Sequence, residues 1–299
     1  MMAVTLRQFR YFDAVARHEH FGRAAEACAI SQPALSMQIR ELEDALGVML
    51  VDRGAKRVKL THFGEQAIGR VREILRSVDE LDDLARASED RLVGRLRLGV
   101  IPTVGPYVLP GIISRLTREN PELAIHIRET VTPRLIEELA DGRIDTAIVA
   151  LPVSEDWLEE EALFTEPFVL VRPEADEGKP VPSAKVLSEM RLLLLEEGHC
   201  FRDQALSFCD MPSARPRELL DASSLSTLVQ MVGAGMGVTL IPDMAVPVET
   251  RSASVSVATF RKPVPSRTIG MVWRRSSPLS DKLAALAPLV RAAAKGSAR

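Results

Sequence analysis

An α+β multidomain fold is predicted by three changes of pattern along the chain. The first sixty residues carry three short stretches of helical spacing joined by tight turns. From Thr61 an apolar stripe continues with no proline until Pro102, and from Leu92 short apolar runs alternate with helical segments, as in an α/β domain. The expected organisation is a small helical unit over 1–60, a long connecting helix over 61–90 and a two-lobed α/β domain over 91–299. Lobe I is expected at about 91–165 and 268–299, and lobe II at about 166–267.

Composition sets bounds on function. A chain of 299 residues with 46% hydrophobic and 26% charged residues is of ordinary globular type. Its net charge of −3 gives no overall basic field, so any contact with nucleic acid must come from a local module. Arg7 and Arg10 interrupt the first apolar stretch, and no later run approaches the ~20 apolar residues that span a bilayer. A cytoplasmic protein with no membrane partner is expected. There a disulfide is a transient signalling species rather than a staple. Two cysteines and one adjacent histidine lack a fourth ligand, so neither a metal nor a cofactor is expected.

Thr5 can cap a first helix whose apolar positions are Leu6, Phe9, Phe12 and Ala16. A second helix covers Gly22 to Ala27, where Ala24 and Ala25 allow a close crossing. After the turn Cys28-Ala29-Ile30, Ser31 is a good N-cap and Pro33 sits in a first turn, where its missing N–H costs little. On this third helix Leu35, Ile39, Leu42 and Leu46 form a buried row and Gln32, Ser36 and Arg40 an outward polar one, and Gly47 ends it. The outward row suits a recognition helix in a major groove, with Gln reading adenine and Arg reading guanine or phosphate. Arg53-Gly54-Ala55-Lys56-Arg57-Val58-Lys59 reads as a basic hairpin wing along the phosphates.

Spacing alone would also suit a small helical domain with a solvated face. Residues 5 to 65, however, resemble the DNA-binding domain of LysR-type transcriptional regulators. The likeness runs through Phe21-Gly22-Arg23-Ala24-Ala25, Ile30-Ser31-Gln32-Pro33-Ala34-Leu35-Ser36, Ile39-Arg40-Glu41-Leu42-Glu43, Leu46-Gly47 and Leu50. It implies a winged helix-turn-helix that contacts double-stranded DNA through Gln32, Pro33, Ser36, Arg40, Arg53, Lys56 and Arg57. Cys28, between helices, is expected to be a small buried hydrophobe.

Thr61 opens the connecting helix. Ala67, Val71, Ile74, Val78, Leu81 and Ala85 alternate steps of four and three, the seam of a two-stranded coiled coil, between charged flanks. A homodimer through this helix is expected, and its two recognition helices would read near-palindromic sites.

In the remaining chain, strands are expected at Leu92 to Val100, Leu123 to Ile127, Thr146 to Leu151, Phe168 to Val171, Leu192 to Leu195, Val238 to Ile241 and Thr268 to Trp273, forming parallel sheets, with a final helix from Ser280 to about Lys295. Two-lobed domains bind ligands between the lobes beyond strand ends. Thr103, Thr132 and the run Gly198-His199-Cys200 fall at such ends, although both threonines also read as helix N-caps. Arg202 to Phe208 reads as a short amphipathic helix. His199 and Arg202 near Cys200 favour a thiolate there. Nine residues of helix would hold Cys200 and Cys209 about 13 Å apart, whereas a disulfide needs Cα atoms within roughly 7 Å. If the two pair, the segment must refold.

The second half is similar to the hydrogen-peroxide-sensing branch of the LysR-type family. The matching runs are Gly99-Val100-Ile101-Pro102-Thr103-Val104-Gly105-Pro106-Tyr107, Glu197-Gly198-His199-Cys200-Phe201-Arg202-Asp203-Gln204-Ala205, Phe208-Cys209, Ser224-Leu225-Ser226-Thr227-Leu228 and Arg267-Thr268-Ile269-Gly270. The resemblance implies a periplasmic-binding-protein-like effector domain in which Cys200 is the peroxidatic thiol and Cys209 the resolving one. It places Thr103, Thr132, His199, Asp203 and Arg267 around the peroxide. It further implies a homotetramer built as a dimer of dimers, reduction by cellular thiols, contact with RNA polymerase, and activator and repressor roles in the oxidative stress response. Two alternatives remain: a regulator whose effector is a small anion between the lobes, with incidental cysteines, and a thiol peroxidase. An enzyme is not expected, since turnover needs neither a helix-turn-helix nor a dimer helix. Asp210-Met211-Pro212 and Pro216 should stiffen the chain after Cys209 and either confine refolding largely to 198–211 or change the kinetics of the switch.

Overall fold

The computed structural model describes residues 4–52, 58–89, 92–209 and 221–297. Contacts divide the chain into two compact units, Met1–Asp83 and Leu84–Arg299.

The first unit holds α1 (Leu6–His18), α2 (Phe21–Ala27), α3 (Gln32–Leu46), β1 (Val51–Asp52), β2 (Lys59–Leu60) and most of α4 (His62–Ala87). Its helix ends follow local chemistry. Thr5 and Gln8 form a capping box on α1, Ser31 Oγ accepts from the Ala34 N–H at 3.4 Å, and Gly47 (φ 71) adopts the left-handed conformation that ends α3. α2 is capped by His20, whose Nδ1 accepts from the N–H groups of Gly22 and Arg23. Phe12, Leu35, Ile39, Leu42 and Leu50 close the core. Leu46, expected in the buried row, is exposed, and so is Leu6 of the first helix. Each sits in a terminal helical turn, where the periodic stripe outruns the core. Buried Glu43 accepts from the N–H groups of Leu50 (2.9 Å) and Val51 (3.2 Å), so one carboxylate fixes the start of β1. β1 pairs antiparallel with β2, forming the stem of the expected wing, while Arg53, Lys56 and Arg57 lie outside the described residues.

Thr61 Oγ1 accepts from the Gly64 N–H at 3.0 Å and starts α4. The expected seam is of two kinds. Ala67 and Val71 pack on the helical unit's own core, so there the seam is intramolecular. Further along, the seam residues Ile74 and Leu81 are 42% and 64% exposed, and Leu84, outside the expected seam, is 55% exposed, which makes an apolar stripe on a solvated helix.

The second unit contains β3 (Gly94–Val100), α5 (Gly105–Glu119), β4 (Leu123–Glu129), α6 (Thr132–Ala140), β5 (Thr146–Leu151), β6 (Leu158–Pro173), α7 (Ala184–Glu189), β7 (Leu194–Leu195), α8 (Cys200–Phe208), β8 (Asp221–Ala222), α9 (Leu225–Gly233), β9 (Thr239–Pro242), α10 (Val246–Glu249), β10 (Val255–Thr259), β11 (Ser266–Arg274) and α11 (Ser280–Ser297). Every expected strand is present, but the sheet is mixed rather than parallel. β3 pairs parallel with β4 and β5, while β11 is antiparallel to both β5 and β6, and β9 and β10 are antiparallel to β6. The reason is β6, a 16-residue strand that pairs with β11 along its first part and with β9 and β10 along its second. Two apolar cores lie along it. One gathers Leu98, Val100, Ile148, Ile269 and Val272 with α5 and α11, and the other gathers Phe168, Val171, Leu195, Val229 and Ile241. Gly99 lets α6 approach β3, since a Cβ there would meet Leu135 Cδ2 at 2.7 Å. No helix among the described residues is long and apolar enough to cross a membrane.

Candidate functional site

The site grows from α8. After β7 the chain turns through Gly198, whose φ of 92 lies in the left-handed region that favours glycine. His199 is the N-cap residue, Cys200 the first helical residue and Cys209 the C-cap, with its N–H bonded to the Ala205 carbonyl at 3.1 Å. The helix is continuous over 200–208 and all three cysteines are free thiols. Phe201, Ala205, Leu206 and Cys209 are buried against the second core. The two thiols therefore stand at opposite ends of one packed helix, about 13 Å apart at about 1.5 Å per residue.

Their surroundings differ. Cys209 is buried among apolar side chains, and that desolvation pushes its thiol up to about 11, so it is protonated at neutral pH. Cys200 is half-buried and lines an open cavity of about 550 Å³ with Thr132, Asp203, Gln204, Arg267 and Thr268. Thr132 Oγ1 and Gln204 Oε1 are buried there with no hydrogen-bond partner among the described residues. Arg267 is fully committed on one side. Its Nε donates to Glu166 Oε1 at 2.7 Å, Nη1 to Thr103 Oγ1 at 2.8 Å and Nη2 to the Thr103 carbonyl at 3.0 Å. Its guanidinium lies 5.2 Å from the centroid of the Phe201 ring. Burial raises the pKa of Glu166, and Arg267 opposes that rise.

Three sequence expectations change. Thr103 and Thr132 cap no helix: the N-cap positions are Val104 and Val131, and neither helix start has a side-chain cap bond. The Thr103 hydroxyl serves Arg267 and that of Thr132 is left for the cavity. Arg202 is not beside the thiol as a free cation. It is buried, and Nη1 donates to the Leu195 carbonyl and to Asp221 Oδ1, both at 2.8 Å. Nor is His199 favoured as a cation, because burial lowers its pKa more than Glu196 raises it. The electropositive feature left at Cys200 is the N-terminus of α8, together with Arg267 in the shared cavity.

His199 and Thr103 line a second space of about 320 Å³, a cleft bounded also by Thr130, Ser224, Ser226 and Tyr107. The site residues thus fall into two neighbouring cavities joined by the Arg267–Thr103 contact. The described lining of the cleft holds two carboxylates, Glu129 and Glu249, and no lysine or arginine. Glu249 accepts from the hydroxyls of Tyr107 (2.6 Å) and Ser226 (2.5 Å). A small anion would meet unfavourable charge here.

On the helical unit, Gln32, Pro33 and Arg40 are exposed and Ser36 half-buried, so the outward row of α3 is available to a groove. Cys28 is the half-buried C-cap of α2, and desolvation raises its pKa. Asp210, Met211, Pro212 and Pro216, expected to limit refolding, lie outside the described residues. Glu166 and Gln204 escaped the sequence reading. Gln204 lies one turn from Cys200, and Glu166 is a charged residue opening an apolar strand segment, which was its one visible signal.

Comparison with known proteins follows the same division. Residues 6–65 match the family model "Bacterial regulatory helix-turn-helix protein, lysR family", and residues 89–295 match "LysR substrate binding domain". The chain is 42% identical over 297 residues to the DNA-binding transcriptional dual regulator OxyR of Escherichia coli, covering 98% of this chain and 97% of that protein. It is 38% identical to the hydrogen peroxide-inducible genes activator of Haemophilus influenzae, over 96% of both chains. Among solved structures it resembles a full-length cysteine-to-aspartate variant of OxyR from Pseudomonas aeruginosa (TM-score 0.72, 36% identity, 97% of this chain and 96% of that one). It also resembles a peroxide-bound cysteine-to-serine variant of OxyR from Corynebacterium glutamicum (TM-score 0.67, 34% identity, 99% and 94%).

Proposed function

Given that the chain belongs to the LysR family of bacterial regulatory helix-turn-helix proteins, we propose that it is a DNA-binding transcription regulator that senses hydrogen peroxide through a reversible Cys200–Cys209 disulfide. One observation carries this reading above the others: an accessible thiol and a buried thiol occupy the two ends of a single short helix, and only the first opens into a cavity with unpaired polar groups.

The Cys200 thiolate attacks one peroxide oxygen. The S–O bond forms, the O–O bond breaks, and hydroxide leaves with the electron pair and becomes water with the proton that the thiol gave up to solvent on ionising. Thr132 and the remaining N–H donors of Arg267 stabilise the leaving oxygen, and Thr103 holds Arg267 in place. Asp203 lines the cavity of the reacting sulfur, and His199, the residue before Cys200, lines the adjoining cleft. The sulfenic acid then condenses with the Cys209 thiol, releasing water and leaving the disulfide, which guards Cys200 against further oxidation. Two electrons from cellular thiols restore the dithiol. Since the helix separates the sulfurs, condensation requires α8 to unwind. Closing so short a loop constrains the chain by only about 3 kcal/mol. The regulatory work therefore falls to the refolded surface, from which Phe201, Leu206 and Cys209 must withdraw, and which biases the pairing of effector domains.

The division into 1–60, 61–90 and 91–299 and the two lobes remains the working organisation. The exposed stripe of α4 pairs two chains, two such dimers form a tetramer, and the assembly binds near-palindromic double-stranded DNA in the cytoplasm, where RNA polymerase is a further partner. Gln32→Ala is expected to weaken operator binding by about 1–3 kcal/mol without weakening non-specific binding. Footprinting and titration under reducing and oxidising conditions test both parts. Unaltered specific affinity in the variant removes Gln32 from base reading, and identical footprints in the two conditions remove the redox switch.

A further inference from the structure

We propose that Glu166 is the positioning residue of the peroxide step, holding the Nε edge of Arg267 so that its Nη edge stays turned to Thr103 and to the cavity of Cys200. This rests on the peroxide-sensing reading above. Glu166 and Arg267 are direct cross-strand partners of β6 and β11, so the backbone itself presents them to each other. Their side chains are 6% and 1% exposed and 2.7 Å apart.

A guanidinium has five N–H donors in a rigid fork. Glu166 takes the one on Nε, and Thr103 takes one from each Nη. The two left are on the Nη atoms, and they are what Arg267 can offer to a leaving oxygen. Phe201 covers the guanidinium at 5.2 Å, and Phe168, two positions after Glu166 on the same strand face, meets Phe201 edge-on at 4.9 Å. The fork is thus fixed at one edge by a carboxylate and on one face by a ring that belongs to the switch helix. Thr103 alone supplies two acceptors but no countercharge. Without Glu166 the buried cation would be free to turn its fork toward other acceptors, and its donors would leave the reacting oxygen.

The alternative is that Glu166 merely neutralises a buried arginine, and kinetics separate the two. In full-length protein carrying Cys209→Ser, oxidation of Cys200 by hydrogen peroxide is followed by trapping the sulfenic acid, and alkylation of the same thiol by iodoacetamide is measured alongside. Glu166→Gln should lower the peroxide rate constant on the order of 10- to 100-fold, the scale of a misplacement of about 1 Å. Alkylation should stay within about twofold, because it needs no donor to a leaving oxygen. Combined with Arg267→Met, Glu166→Gln should cost nothing more than Arg267→Met alone. The milder Glu166→Asp, which keeps the charge, should lose peroxide reactivity by a smaller factor and remain folded by thermal unfolding. Parallel falls in both rates, an unchanged peroxide rate, or additive losses in the double variant would each overturn the proposal. If the Cys209→Ser parent itself fails to react with peroxide, the sensing premise goes first.

Discussion

Cys200→Ser is expected to abolish the response to hydrogen peroxide: no disulfide forms, and the oxidised footprint on DNA never appears. The expectation follows from what the other two thiols lack. Cys209 sits in the second apolar core, where burial pushes it up to about 11, and Cys28 is raised by burial as well, so both are neutral at physiological pH. A neutral thiol is a poor nucleophile toward peroxide. Only Cys200 opens into the cavity with Thr132 and Arg267. The loss should therefore be complete rather than graded. Quantifying free thiols and footprinting before and after oxidant checks it, and a persisting response would move the sensing away from α8.

Replacing Leu81 and Leu84 together by glutamate is expected to release the dimer and, with it, most of the affinity for a two-half-site operator. These leucines are the most exposed large apolar residues of α4, beyond the point where the stripe is used up by the helical unit's own core. Two buried carboxylates in a helix seam meet their symmetry mates and cannot be solvated. Losing the second half-site removes an intramolecular binding event, a penalty on the order of 10²–10⁴ in apparent affinity. Sedimentation and operator titration read the two effects separately. A dimer of undiminished affinity would place the pairing surface elsewhere.

Some of this was open to inspection in the sequence, and the reasons are local. Thr5, Ser31, Gly47 and Thr61 set helix ends through groups within a turn of themselves, so their roles could be read directly. The strands of the second unit were legible where apolar runs were short and bounded. The first part of β6 was not, because Glu159, Glu160 and Glu161 hide its alternation. The mixed sheet was equally invisible, since it depends on where the long β6 meets β11. At the site, the cysteine pair and the helix between them could be read, whereas the support for them could not. Thr103 looked like a cap because caps are local, yet its partner Arg267 is 164 positions away. Arg202 looked like a neighbouring cation for Cys200, yet tertiary structure sends it to Leu195 and Asp221. Glu166 belongs with Arg267 only through strand pairing across 101 positions.

Whether Cys200 and Cys209 join decides most directly whether α8 is a redox switch. Full-length reduced protein treated with less than one equivalent of hydrogen peroxide, then alkylated, digested and examined by mass spectrometry, should yield a single new cross-linked species joining the peptides of Cys200 and Cys209, with Cys28 alkylated throughout. Recovery of both thiols free after oxidant is consumed, or a bridge that leaves out either of them, would contradict it.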